Sequence, residues 1–396
     1  RGRRRGCPSS RGVRGSRLVR PSRGDQSPAV FDRAQRLAEA TPAACRAAVD
    51  ALAPGAGVVV LLVADQPELD VEAIAAALGP TPVLGAVFPA LIEGAELFTR
   101  GALALTLDAP VRRAILASTF EPSDVLRSIL APALEPPTPH DPSRPPTILT
   151  LFDGAVAGAS TSVLDALRLP YLHLGARFFG GGAGYTQPTG RPCLFTERGA
   201  LPPGGGLVAS IEATCSVASE HGWSRLSGPY FASRTARTTF CELDWRPARE
   251  VYAEALGRAG EPRVSLIHPL GLILGDRLVV RDPLAFTEDG GIYTFGDVGG
   301  RALVAILRAE PDALIGAAGA AARAALLGAA QPATSSFVVD CVSRADTLGA
   351  RFGEELVRIR REATPRLWGA LSLGEVASAG DRGVEFHNKT VVVTVR

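Results

Sequence analysis

At 396 residues the chain is long enough for two domains, each able to bury a core of its own. Apolar residues make up 46% and charged residues 21%, as in ordinary globular proteins, and no apolar run reaches the length that spans a bilayer, so membrane insertion is disfavoured. Without residues 1–29, which hold nine arginines and one aspartate, the balance is 33 basic against 39 acidic, and this negative remainder argues against a nucleic-acid partner.

Residues 1–29 read as a solvated basic tail, with Gly, Ser and Pro between the arginines and almost nothing apolar to bury. Arg1 to Pro28 lacks the apolar stretch of a secretory signal. Lysine occurs once, at Lys389, against 41 arginines, a coding bias that reduces the weight of arginine clusters as a sign of nucleic-acid binding. The six cysteines (Cys7, Cys45, Cys193, Cys215, Cys241 and Cys341) are scattered without a C-x-x-C pair, which supports neither a disulfide framework nor a zinc knuckle and points to a reducing cytoplasm.

One pattern then recurs three times. Val58 to Val63 is a continuous apolar β run, followed by helical spacing over Leu69 to Leu78, a strand Pro82 to Phe88 and a strand Ala102 to Leu107. The second copy runs from Thr147 to Phe152 through a helix at Ser160 to Leu169, then Tyr171 to Phe179 and Gly206 to Ile211. The third runs from Ser336 to Cys341 through a helix at Arg351 to Arg361, then Leu367 to Leu371 and Thr390 to Val395. Each copy is strand, helix, strand, strand, with the last two expected to pair as an antiparallel hairpin while the helix covers a face. Gly85, Gly175 and Gly369 fall at matching places in the second strand, where glycine marks a close approach of a ligand or of packed backbone.

Ala131 to Pro146, with recurring prolines and His140, reads as an exposed connector. Between the second and third copies lie further strands at Tyr230 to Leu243, Arg263 to Ile273, Leu278 to Pro283 and Gly291 to Phe295, then an Ala-rich helix at Pro311 to Leu327. The fold class is therefore α/β (mixed α+β), repeated β-α-β-β units forming mixed sheets covered by helices, in two lobes at 30–240 and 241–396. The run Gly180-Gly181-Gly182-Ala183-Gly184 has no following G-K-S/T and reads as a turn or pocket wall rather than a phosphate loop.

The most informative segment is Glu242-Leu243-Asp244-Trp245-Arg246-Pro247-Ala248-Arg249-Glu250-Val251-Tyr252, a strand running into a helix with proline in its first turn. It resembles the E-L-D-G-x-P-A-x-E-x-Y signature that opens the C-terminal half of FIST domains, with Trp245 in place of the glycine. Further pieces follow in the family's order: His221-Gly222-Trp223, His268-Pro269-Leu270-Gly271, Gly296-Asp297-Val298, Cys341 with Arg344, Gly374-Glu375 and His387-Asn388. The resemblance covers about residues 55 to 396. It departs at Leu371-Ser372-Leu373, where relatives often carry aromatic residues, and near Ser343, where a glycine is expected.

The resemblance implies a bacterial sensory module that binds a small molecule, amino acids and their derivatives having been proposed, and that signals to a kinase or a cyclic-dinucleotide enzyme. The expected ligand site is Cys341, Arg344, Gly374, Glu375, Asn388, His268 and Asp297, because α/β sheets place ligands at strand ends. There Arg344 would fork onto a carboxylate while Glu375 or Asn388 takes an amine or hydroxyl. No catalytic or metal-binding constellation and no resident cofactor is expected. Two alternatives stay open: a haem-based gas sensor using one of His140, His173, His221, His268 and His387, and a thiol-dependent enzyme using Cys341.

Overall fold

Three runs of consecutive apolar residues, Val58–Ala64, Thr147–Asp153 and Ser336–Cys341, are strands buried along their whole length, as expected where a strand is covered on both faces. In the computed structural model, which describes residues 30–135, 144–155, 159–187, 189–257, 263–378 and 383–396, each is the centre of its own sheet. A helical crossover carries the chain from each central strand to a parallel neighbour: Val83–Phe88, Arg177–Ala183 and Leu367–Ser372. The fold is thus mixed α/β, 26% helical and 41% strand.

The third strand of each unit does not form the expected hairpin with the second. Ala102–Leu107, Gly206–Ile211 and Val391–Val395 instead lie antiparallel against the other edge of the central strand. The reason lies in the segment between the second and third strands, which leaves to extend another unit's sheet. Ala90–Glu93 of the first unit pairs onto the third unit's Leu367–Ser372, and Glu96–Phe98 pairs in turn onto Ala90–Glu93. Leu194–Thr196 of the second pairs onto the first unit's Val83–Phe88, and Glu375–Ser378 of the third onto the second unit's Arg177–Ala183. The exchange is cyclic, and it links strands on both sides of residue 240 by backbone hydrogen bonds.

Alternate residues of the three central strands, Val60 and Leu62, Leu149 and Leu151, Phe337 and Val339, meet with Phe31 in one apolar core. The register makes Gly85, Gly180 and Gly369 the equivalent second-strand glycines, opposite Leu61, Thr150 and Val338. Gly175 sits instead in the turn before its strand, with φ of +62°. A β-carbon at Gly180 or Gly369 would strike the neighbouring strand's backbone, and one at Gly85 the Phe195 ring, so these glycines serve packing. The glycine run 180–182 is itself strand.

The insertion between the second and third units forms a closed antiparallel barrel. Ser224–Ala236, Leu303–Arg308, Leu270–Leu274, Arg277–Phe286, Ile292–Phe295 and Thr239–Leu243 pair in that order, and the last returns to the first. Leu303–Arg308 was absent from the sequence expectations. The helix Ala248–Ala255 buries Val251 and Tyr252 against the barrel core, and Pro311–Leu327 packs on the third unit. The expected connector is helix as far as Leu134; residues 136–143, with His140, and the tail 1–29 lie outside the described residues. Among the described residues no helix is long and apolar enough to cross a membrane.

Candidate functional site

The third unit's chain changes sheets at Leu373-Gly374, between strands Leu367–Ser372 and Glu375–Ser378. Gly374 turns with φ of +84°, and a β-carbon there would meet the Phe386 and Phe295 rings, so only glycine makes this corner without strain. Beside the corner, a cleft of about 260 Å³ opens at the carboxyl ends of two parallel strand pairs. Gly154, Ala155 and Tyr185 follow the second unit's pair, and Cys341, Ser343 and Leu373 the third's. The barrel closes the remaining side with Asp282, Leu284 and Phe295. The strand Arg277–Phe286 shifts register between Pro283 and Ala285, and a bulge of this kind re-aims a side chain: Leu284 is 45% exposed and lines the cleft.

Among the described residues Asp282 is the one formally charged side chain in that lining. It accepts a hydrogen bond of 2.6 Å from the Ser343 hydroxyl on Oδ2, and Lys389 Nζ lies 3.2 Å from Oδ1. Its backbone N–H donates to Asn388 Oδ1 at 3.3 Å. Lys389 is fully buried with φ of +52°, its ammonium 5.3 Å from the Trp223 ring centre, while Trp223 Nε1 donates to the Lys389 carbonyl at 3.0 Å. Asp282, Ser343 and Lys389 were not among the expected site residues. The available signals were an acid closing an apolar strand just before a proline, and the chain's single lysine.

The expected residues divide. Cys341, Gly374 and Asn388 line the cleft. Arg344 and Glu375 lie behind its wall with no exposed surface. Arg344 forks onto Glu355, Nε to Oε1 at 3.0 Å and Nη2 to Oε2 at 2.8 Å, and donates to the carbonyls of His221, Leu314 and Lys389. Its fork is therefore already filled by a carboxylate of the chain itself, and it does not pair with Glu375. Glu375 accepts from the Ser372 hydroxyl at 2.8 Å and the Thr390 N–H at 3.2 Å, and burial pushes its carboxyl up to about 8. Burial, with the neighbouring Glu375 and Asp282, holds the Cys341 thiol well above its usual range, the opposite of an activated nucleophile.

His268 and Asp297 belong to other corners of the barrel. His268 Nδ1 is 2.8 Å from the Ser265 hydroxyl, and the Asp297 carbonyl accepts from Arg281 Nε at 2.6 Å. His221 and His387 face a second, polar cleft of about 330 Å³ with Glu220, Arg277 and Glu385. Burial lowers both imidazoles to about 4. No histidine among the described residues lines the apolar cleft, so that cleft offers haem iron no axial imidazole. No group of metal-ligating side chains is present among them either.

The cleft is thus a strand-end opening assembled from two repeated units and a barrel. The chain matches the FIST N domain over residues 58–246 and the FIST C domain over residues 248–378, and so belongs to the FIST family, whose domains are signal-transduction sensory domains. Among curated proteins, none matches the chain.

Proposed function

We propose that the cleft beside Leu373-Gly374 is the sensory site, that it takes a small molecule, and that occupancy is read in trans in the cytoplasm by a signalling protein such as a kinase or a cyclic-dinucleotide enzyme. The observation that carries this is the convergence of Cys341, Gly374 and Asn388, three pieces of the family pattern distant in sequence, on one strand-end opening with a charged and an apolar side. A guest there touches the second unit, the third unit and the barrel at once. It is therefore placed to bias their relative packing, which is what a partner would read. The free, buried cysteines of the described residues fit a reducing compartment.

Thermal-shift screening of the purified chain against metabolite amines, amino acids and nucleotides tests the reading. Compounds that raise the melting temperature should lose that effect in Leu284→Trp, which fills the cleft from an exposed position. Ligands whose shift survives Leu284→Trp bind elsewhere and refute the assignment.

A further inference from the structure

The chemistry of the lining goes further than the presence of an opening. We infer that the ligand is a small primary amine with an apolar body and no carboxylate, an amine rather than an amino acid; this rests on the cleft being the sensory site.

The first argument is charge. Among the described residues Asp282 is the lining's one formally charged side chain, and none of them brings a cation to the lining to receive a carboxylate. Arg344, the guanidinium expected there, is sealed and bidentate on Glu355. A zwitterionic guest would bury its carboxylate against Asp282, whose Lys389 lies behind the wall, with no cation in the described lining to pair with, whereas an ammonium meets a carboxylate. The neighbouring buried Arg281 does not change this, because it donates to the carbonyls of Asp297, Val280 and Phe386.

The second argument is how Asp282 is held. At 6% exposure the Asp282 carboxylate is fixed from two sides, by Lys389 behind it at 3.2 Å from Oδ1 and by the Ser343 hydroxyl beside it at 2.6 Å from Oδ2. The chain uses arginine at every other basic position, yet here it carries lysine, a compact point charge on a flexible stem. Lys389 is wholly enclosed between Asp282 and the Trp223 ring, where the broader guanidinium with its five donors would leave several of them unpartnered. Lys389 thus acts as a positioning residue: it holds the Asp282 carboxylate in place without itself lining the cleft.

The third argument is shape. Leu284, Phe295, Val342 and Leu373 supply the apolar part of the same lining. The volume lies below the roughly 300–1,000 Å³ of drug-sized pockets, so the guest is small. Ser343 and Asn388 remain to take the ammonium's other hydrogen bonds.

The test is calorimetric titration of the full chain with four probes that share a ring and differ in the polar end: 2-phenylethylamine, phenylalanine, 3-phenylpropanoate and 2-phenylethanol. The amine should bind, and bind more tightly than the other three. Asp282→Asn should weaken it about ten- to a hundredfold, the worth of a charged hydrogen bond, and weaken the alcohol by a much smaller factor. Because Asp282→Asn also leaves Lys389 unpaired, Leu284→Arg provides an independent check at an exposed position: losing the leucine should weaken both guests several-fold, and the added cation should weaken the amine further than the alcohol. Failure of the amine to bind overturns the inference, as does amine affinity unchanged in both variants, or phenylalanine or phenylpropanoate binding at least as well. If one of those acids binds and Leu284→Trp removes it, the amine inference falls and the sensory cleft stands.

Discussion

The cleft wall and the ion cluster behind it are built from the same few residues of chain, yet they obey opposite rules. From Cys341 to Arg344 the chain passes from an opening to a closed network: Cys341, Val342 and Ser343 line the cleft, while Arg344 joins Glu355 and Asp340 with no exposed surface. The outward set keeps polar atoms available to a guest. The inward set spends its guanidinium on the chain itself, and an arginine whose bonds are already made serves as framework.

That contrast is broken most severely from the inside. Arg344→Ala should destabilise the fold by about 3–5 kcal/mol, the cost of leaving Glu355 buried without its partner. Chemical denaturation measures this, and a loss below about 1 kcal/mol would show that the cluster is not sealed. Gly374→Ala lies on the border between the two regions. With positive φ and two rings against its would-be β-carbon, it should cost about 1–3 kcal/mol and also remove the ligand's thermal shift. Retention of that shift would separate the corner from the cleft.

Protons sharpen the same comparison. Glu375 is raised to about 8 by burial, so the native state holds a proton that the unfolded chain releases from the ordinary carboxylate range upward, and stability falls as pH rises toward 8. His221 and His387, lowered to about 4, act in the opposite sense, losing stability as pH falls below about 6.5, where unfolded imidazole takes up protons. Between about pH 6.5 and 8 the histidines are neutral in both states, and the buried acids act alone. Denaturation midpoints over that window should decline, by at most about 1.4 kcal/mol per pH unit for each acid, and Glu375→Gln should flatten the decline. An identical slope in the variant would show that Glu375 is already ionised in the native state.

Much of this architecture is legible in the sequence, and the parts that are not have physical reasons. The central strands announce themselves as apolar runs because both faces are covered, and the strand-to-helix junction at Glu242 to Tyr252 carries its signature in consecutive residues. Sheet order is different: which edge a third strand occupies depends on where the intervening segment goes, and nothing local at Ala90–Glu93 or Glu375–Ser378 says that it pairs with another unit. Gly175 and Gly180 compete for one slot, and only register decides between them. At the site, residue type showed that Arg344 and Glu375 were polar groups near strand ends, but not whether each met a guest or a partner such as Glu355. Asp282 was hidden because its counter-charge, Lys389, is 107 positions away in sequence.

The smallest expected effect on stability tests the outer region alone. Leu284 is 45% exposed on its bulge, so Leu284→Ala removes little buried surface and should change stability by no more than about 0.5 kcal/mol. Its side chain nevertheless forms part of the cleft's apolar face, and trimming it should weaken a bound guest several-fold, the worth of about one or two buried methylenes. Denaturation and titration on the same preparation read the two quantities independently. Arg344→Ala and Leu284→Ala then form a crossed pair, one costing the fold and one costing the ligand. If Leu284→Ala cost stability like a core residue, the bulge would be part of the framework, and the line drawn here between wall and cluster would be misplaced.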